Sequence, residues 1–130
     1  MGRWTAGQPV VTSVIGPGPS AKHDRYAFTP DYDYQEAEID RRFEASAGAE
    51  TYLGDWHTHP EATYAALSWR DRRTIARIAA DPAAHAPRPV MIILIGGPEK
   101  WTAAAWIGGR RRLLPGILAG KAIPATTRCF

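Results

Sequence analysis

The 130-residue sequence is poor in the features that mark secreted, membrane-spanning or repetitive proteins. Cys129 is its single cysteine, so no internal disulfide can form and no oxidising compartment is implied. The longest dense apolar run, PVMIILIGG, is far shorter than the roughly 18 residues that a membrane helix needs. The first residues also lack the basic-then-apolar layout of a signal peptide. We therefore expect a cytoplasmic protein with no membrane partner.

Length and charge set the next limits. A chain of 130 residues can bury a core, and we expect a single domain over residues 1–130. The net charge of +3 makes nucleic acid a partner to consider. However, the arginine clusters at positions 70, 72 and 73 and at 110–112 lack the interleaved aromatic residues that stack on bases. We expect these clusters to be solvated and predict no nucleic-acid partner.

Strand and helix patterns alternate along the chain. This order predicts an α/β (α+β) fold with a mixed β-sheet flanked by helices. Strands are predicted where β-branched or apolar runs meet turn signals, and Gly108-Gly109 is predicted to be a turn. The predicted strands cover residues 9–16, 51–59, 89–96, 101–109 and 111–118.

Two helices are predicted, over residues 33–46 and 68–81. Each begins with the spacing of a capping box, in which a side chain at the helix start and one three residues later bond each other's backbone N–H groups. The first helix is expected to stop at Gly48. The two predicted boxes are Asp33 with Glu36 and Ser68 with Asp71.

The stretch GDWHTHPEATYAALSWRD carries four polar groups with chemical potential. His57 and His59 are two apart on a predicted strand, so they point to the same face and suit a divalent metal. An H-x-H pair alone is weak, since two histidines at a strand end are common. Asp71 lies in line with Ile75 and Ile78, on the side of the helix that should face the core. A carboxylate directed inward is costly unless something pairs with it, and a metal ion would do so.

These residues predict a specific kind of metal site. Two histidines and one carboxylate leave one tetrahedral position for water, which is typical of catalytic rather than structural zinc. Zinc there would supply hydroxide at neutral pH. Ser68, one helical turn before Asp71, could stabilise the oxyanion of a tetrahedral intermediate while it also caps the helix.

The segment HTHPEATYAALSWRD resembles the JAMM motif, H-[ST]-H-P…S-x-x-D, of the JAB1/MPN/Mov34 metalloprotease family. The resemblance implies an MPN fold, one zinc ion per chain held by His57, His59 and Asp71, and a catalytic role for Ser68. Members cleave isopeptide or peptide bonds at the C-terminus of ubiquitin-like proteins, so such a protein or its conjugates is the implied partner. The stretches GDWHTHP and LSWRD resemble bacterial members found near ubiquitin-like conjugation genes. Conjugation enzymes of the E1 or E2 type and antiphage-system proteins are therefore further expected partners.

Two features depart from the family pattern. The spacer between His59 and Ser68 holds eight residues, one more than is usual, which a loop can absorb. The family's general base is a glutamate ahead of the H-x-H, next to a strand that contains Gly-Gly. The first residues here, MGRWTAGQPVV, resemble the end of that strand. No Asp or Glu precedes Asp24. We therefore expect the base to be missing and the chain to be truncated relative to the family, through a wrong start codon or a shortened chain. Asp55 and Glu36 are the remaining candidate bases.

These observations leave two main hypotheses open. The leading one is a zinc-dependent isopeptidase or peptidase that acts on ubiquitin-like tails. The alternative is a catalytically silent MPN module that binds partners. A nucleotide deaminase is disfavoured because its H-x-E and P-C-x-x-C patterns are absent. Apart from the four motif residues, we expect His23 and His85 to be exposed and Trp56 and Trp69 to pack.

Overall fold

The computed structural model describes residues 1–24, 28–97, 99–114 and 117–125, without the side chains of residues 110–122 and 125. Cys129 lies outside the described residues, so its predicted lack of an internal disulfide stays a prediction. The chain divides into two compact units, Met1–Leu53 and Gly54–Phe130. The expectation of one domain stays a prediction.

A short hairpin opens the first unit. Strand β1 (Gly2–Thr5) pairs antiparallel with β2 (Gln8–Val11) through a two-residue turn at Ala6-Gly7. Both turn residues have positive φ, 48° and 78°, which matches the twist of a tight hairpin and explains the glycine. The strand predicted over residues 9–16 is therefore shorter than expected. The later β-branched residues of the predicted strand lie beyond Val11, where the pairing with β1 ends.

Helix α1 (Tyr32–Ala45) follows a second small pair, β3 (Lys22–His23) with β4 (Phe28–Thr29). The predicted capping box of Asp33 with Glu36 is wrong. Asp31 is the N-cap, and its carboxylate accepts hydrogen bonds from the backbone N–H groups of Tyr34 at 3.2 Å and Ser20 at 3.0 Å. The predicted stop is confirmed, because Gly48 takes a φ of 78° and its N–H bonds the carbonyl of Phe43.

The second unit is built on a four-stranded mixed sheet. Its strands are β5 (Gly54–Pro60), β6 (Val90–Gly97), β7 (Lys100–Leu114) and β8 (Ile117–Ala125), adjacent in that order. β5 runs parallel to β6, and the other two pairs are antiparallel. Helix α2 (Trp69–Ala80) makes the crossover between β5 and β6, as parallel neighbours require. The prediction of an α/β (α+β) fold with a mixed sheet and helices is confirmed.

The predicted turn at Gly108-Gly109 is wrong. β7 continues through both glycines to Leu114, so the predicted strands over 101–109 and 111–118 are redrawn as one long strand and β8. Gly108 is buried, and its N–H donates to the carbonyl of Pro89 at 2.7 Å. A Cβ atom at Gly108 would collide with Ile75 on α2. The glycine therefore permits close helix–strand contact and does not turn the chain.

The core of the second unit lies between α2 and one face of the sheet. Ile75 on α2 and Ile93 on β6 are almost fully buried, and they form a cluster with Leu67 and Met91. Ile95 and Trp106 pack at its margin. Within the described residues, neither helix is long and apolar enough to cross a bilayer.

Replacing Gly108 with alanine should loosen α2 from the sheet. The added methyl group meets Ile75 and Pro89, so we expect the free energy of unfolding to fall by about 1–3 kcal/mol from overpacking. Gly109→Ala is the matched control, because nothing lies within 4 Å of its Cβ position. Urea titration of both variants measures the difference, and equal stabilities would contradict the assigned packing.

Candidate metal centre

Strand β5 brings the two motif histidines onto one face. Along it, Asp55, His57 and His59 are partly buried, while Trp56 and Thr58 between them are exposed. This is the alternation expected of a strand with one covered side. In the parallel register His57 lies beside Ile93 and His59 beside Ile95, so both imidazoles share the core face of the sheet.

The imidazoles converge at their outer nitrogens. The Nε2 atoms of His57 and His59 are 3.0 Å apart, and the ring centroids are 4.9 Å apart. The Oδ1 atom of Asp71 lies 3.7 Å from the Nε2 atom of His57. The Asp71 side chain is only 13% exposed and that of His57 33%, so the pair is partly screened from water. The structure thus places the Asp71 carboxylate and the His59 imidazole next to the Nε2 atom of His57.

Asp71 is aimed by the start of helix α2. Ser68 is the N-cap, and its Oγ accepts a hydrogen bond from the backbone N–H of Asp71 at 3.2 Å. In return, Oδ2 of Asp71 accepts one from the backbone N–H of Ser68 at 2.7 Å. The predicted capping box of Ser68 with Asp71 is therefore confirmed. One carboxylate oxygen closes the helix end, and the other faces His57.

Burial fixes where the helix begins. Leu67, directly before the cap, belongs to the buried core cluster, and Ile75 lies one helical turn beyond Asp71. Sequence reasoning missed Leu67, although an apolar residue directly before an N-cap is a known signal of helix entry. The buried residues on either side of the cap fix where α2 begins, and Asp71 lies beside His57 of β5.

The donor set suits zinc, and two of the separations are close to what zinc requires. Nitrogen or oxygen ligands at about 2.0–2.1 Å from a tetrahedral ion lie about 3.3 Å apart. The observed separations of 3.0 Å and 3.7 Å bracket that value. No group of three such side chains meets the geometry of a complete metal site in the part of the chain that the structure describes. The donor types and these two separations suit a metal ion, whereas the three side chains together do not form a complete site.

The electrostatics favour the neutral form of His57. Burial is the main effect and lowers the pKa of His57, the Asp71 carboxylate opposes this, and His59 lowers the pKa further. A neutral imidazole keeps a lone pair, and only that form can bind a metal ion.

The other candidate residues differ in location. Asp55 shares the face of β5 with the histidines, and its charge acts on the pKa of His57. Glu36 is exposed on α1, in the other unit. His23 and His85 are exposed, as predicted. The expectation that Trp69 packs is wrong, since Trp69 is 66% exposed, whereas Trp56 is 37% exposed and has most of its surface covered.

Comparison with known proteins identifies similar chains. Residues 3–107 match the profile of a family described as prokaryotic homologs of the JAB domain. The chain is 49% identical over 117 residues to a protein named "Probable metalloprotease y4qB" from Sinorhizobium fredii, covering 88% of this chain and 71% of that protein. It is 36% identical over 52 residues to a "CD-NTase/cGAS isopeptidase" from Vibrio cholerae, covering 40% of this chain and 33% of that protein.

Ser68→Ala tests whether the capping box holds the site. Loss of the Oγ acceptor leaves the Asp71 N–H without its partner, so we expect the free energy of unfolding to fall by about 1 kcal/mol. Ser68→Thr keeps the hydroxyl and should lie within a few tenths of a kcal/mol of the parent protein. Thermal and urea unfolding measure both variants. An alanine variant as stable as the threonine variant would show that the cap contributes little.

Proposed function

Because the chain belongs to the family of prokaryotic homologs of the JAB domain, we propose that it is a zinc-dependent isopeptidase or peptidase of the JAMM type. The observation that carries the proposal is the convergence of His59 and Asp71 on the Nε2 atom of His57. The names of the two relatives, a metalloprotease and an isopeptidase, support hydrolysis of peptide or isopeptide bonds.

Each residue of the motif receives one role in this proposal. His57 and His59 would hold zinc through their imidazole nitrogens, and Asp71 would hold it through the oxygen that the capping box leaves available. When bound, zinc supplies Lewis acidity for the attack of water on a carbonyl carbon. The Ser68 hydroxyl oxygen accepts a hydrogen bond from the Asp71 N–H through a lone pair. The hydroxyl proton therefore remains available for a hydrogen bond to the developing oxyanion.

The proposed substrate is the C-terminal tail of a ubiquitin-like protein or of its conjugate. The likeness to a CD-NTase/cGAS isopeptidase supports a role in a bacterial system that conjugates ubiquitin-like proteins. Conjugation enzymes or antiphage proteins are the associated partners in this proposal. Ser68 is exposed, so the cap hydroxyl is accessible to a polypeptide.

The general base decides between the enzyme and its alternative. The resemblance assigns the base to a glutamate ahead of His57, and residues 1–23 contain no acidic side chain. The second candidate function is a catalytically silent module that keeps the fold and binds partners, and the presence of a working base separates it from the enzyme. Asp55 is the acidic residue on the strand face of the histidines, and we propose that it orients a metal ligand and does not act as the base.

Asp71→Asn should weaken zinc binding strongly. The amide keeps the shape and an oxygen for the capping box, but it removes the negative charge beside His57. We expect a loss of affinity greater than the about 10–100-fold seen when an outer hydrogen-bond partner of a metal ligand is removed. His57→Ala should abolish stoichiometric zinc binding.

The control is Asp81→Asn, which changes an exposed carboxylate at the other end of the same helix. Elemental analysis and competition with a zinc chelator measure binding for the three variants and the parent. Equal zinc affinity in Asp71→Asn and Asp81→Asn would reduce Asp71 to a helix cap.

The 130-residue chain should bind zinc and yet cleave poorly. Amide cleavage requires proton transfer from water to the leaving nitrogen, and a positioned general base contributes about 10²–10⁴-fold. We expect activity to rise by that factor when the chain is extended upstream in its reading frame to the first glutamate.

Both lengths are assayed with equal zinc on a ubiquitin-like tail fusion, with His57→Ala of each as the control. Robust zinc-dependent cleavage by the 130-residue chain would assign the base to Asp55 or Glu36. No cleavage by either length, with zinc bound to both, would favour the silent module.

A further inference from the structure

Helix α2 carries a line of arginines on its solvent side. Arg70, Arg73 and Arg77 are spaced three and four residues apart, so they form one stripe along the helix. All three are exposed. The helical period places this arginine stripe opposite Ile75 and Ile78, which are buried against the sheet. The stripe spans about 10 Å at a rise of 1.5 Å per residue.

The stripe is unfavourable for the helix itself. Like charges three and four residues apart repel each other. Arg70 lies in the first turn, where the positive end of the helix dipole also disfavours a cation. The one acidic residue of α2, Asp71, is occupied by Ser68 and faces His57. The helix therefore keeps Arg70 and Arg73 where the local electrostatics oppose them, whereas Arg77 lies in the last turn, where the helix dipole favours a cation.

No acidic side chain forms an ion pair with the stripe in the part of the chain that the structure describes. The ion pairs there involve Arg3, Arg41, Arg42 and His57, and none involves the stripe. Arg70 instead lies over the Trp69 ring, with its guanidinium carbon 5.7 Å from the ring centroid. Trp69 is 66% exposed, so a flat aromatic surface accompanies the charge at the helix start.

We propose that the arginine stripe with Trp69 docks an acidic segment of a protein partner. An acidic partner would remove the repulsion along the stripe, and the guanidinium groups suit bidentate contacts with carboxylates. A protein segment fits better than nucleic acid, because the stripe is short and has a single aromatic ring at its start instead of the interleaved aromatic residues that stack on successive bases. The surface lies on the helix that carries Asp71, but docking there requires neither metal nor catalysis.

The test compares the binding of two fluorescein-labelled 12-residue peptides, one with six glutamates and one with glutamines at the same positions. Fluorescence anisotropy at low salt should show about tenfold tighter binding of the glutamate peptide, since three exposed ion pairs contribute about that much together. The preference should fall as salt is raised. The triple variant Arg70→Gln, Arg73→Gln, Arg77→Gln should reduce it to less than about twofold.

The matched control is the triple variant Arg3→Gln, Lys22→Gln, Lys100→Gln, which removes the same charge from exposed residues elsewhere. It should keep most of the preference, which would support the stripe as the docking surface. Urea unfolding of the stripe variant should show unchanged or greater stability, because repulsion has been removed.

Three outcomes would overturn the proposal. Equal binding of the two peptides by the parent protein would show that the stripe is only a solvated face. Tighter binding of a labelled single-stranded oligonucleotide, lost in the stripe variant, would assign the surface to nucleic acid. Salt-sensitive self-association in sedimentation, lost in the same variant, would assign it to a second copy of the chain.

Discussion

The reciprocal hydrogen bonding of Ser68 and Asp71 is the interaction on which the candidate site depends. A helix start needs acceptors for its first N–H groups, and a cap could supply them with any of several side chains. Here the acceptors are the two residues that also carry the proposed chemistry. The cap uses one oxygen of Asp71 and turns the other toward His57. Local helix energetics therefore set the orientation that a metal ligand requires.

The sheet contributes the second half of this arrangement. Parallel pairing places His57 and His59 beside Ile93 and Ile95, on the face that α2 covers. Ile75 then fixes the depth of the helix over that face, and Gly108 permits the close approach. The polar groups lie at the margin of this apolar cluster, where burial lowers the pKa of His57. Packing and electrostatics are thus consequences of the same helix–sheet contact.

Sequence patterns predicted this region well because its signals are local. The alternation along β5, the capping box at Ser68 and the apolar spacing of α2 each involve residues within one or two turns or strand repeats. The family resemblance rests on the same short segment, and the match over residues 3–107 confirms it.

The errors arose where distant residues decide the local structure. Asp31 and Asp33 are both suitable N-caps by sequence. Asp31 is the cap in the structure, and its carboxylate also accepts a hydrogen bond from the distant N–H of Ser20. Gly108 looks like a turn residue in sequence, but its conformation is set by Ile75 and Pro89. Trp69 resembles a packing residue, yet the helix face that it occupies meets solvent. The outcomes at Asp31 and Gly108 are not encoded in the neighbouring residues alone, whereas the helical period already places Trp69 opposite the buried Ile78.

The eight-residue spacer between His59 and Ser68 has a consequence for how such a site can assemble. All four motif residues belong to one continuous strand–loop–helix segment, residues 57–71. An ion that joins His57 to Asp71 closes a loop of about fourteen residues, whose entropic cost is about 2–3 kcal/mol, plus a constant, and grows only slowly with length. An additional loop residue therefore changes that cost by less than about 0.1 kcal/mol. Contacts of such short sequence separation also favour fast folding. The loop of the motif can therefore vary in length while the strand end and the helix start keep their relative positions.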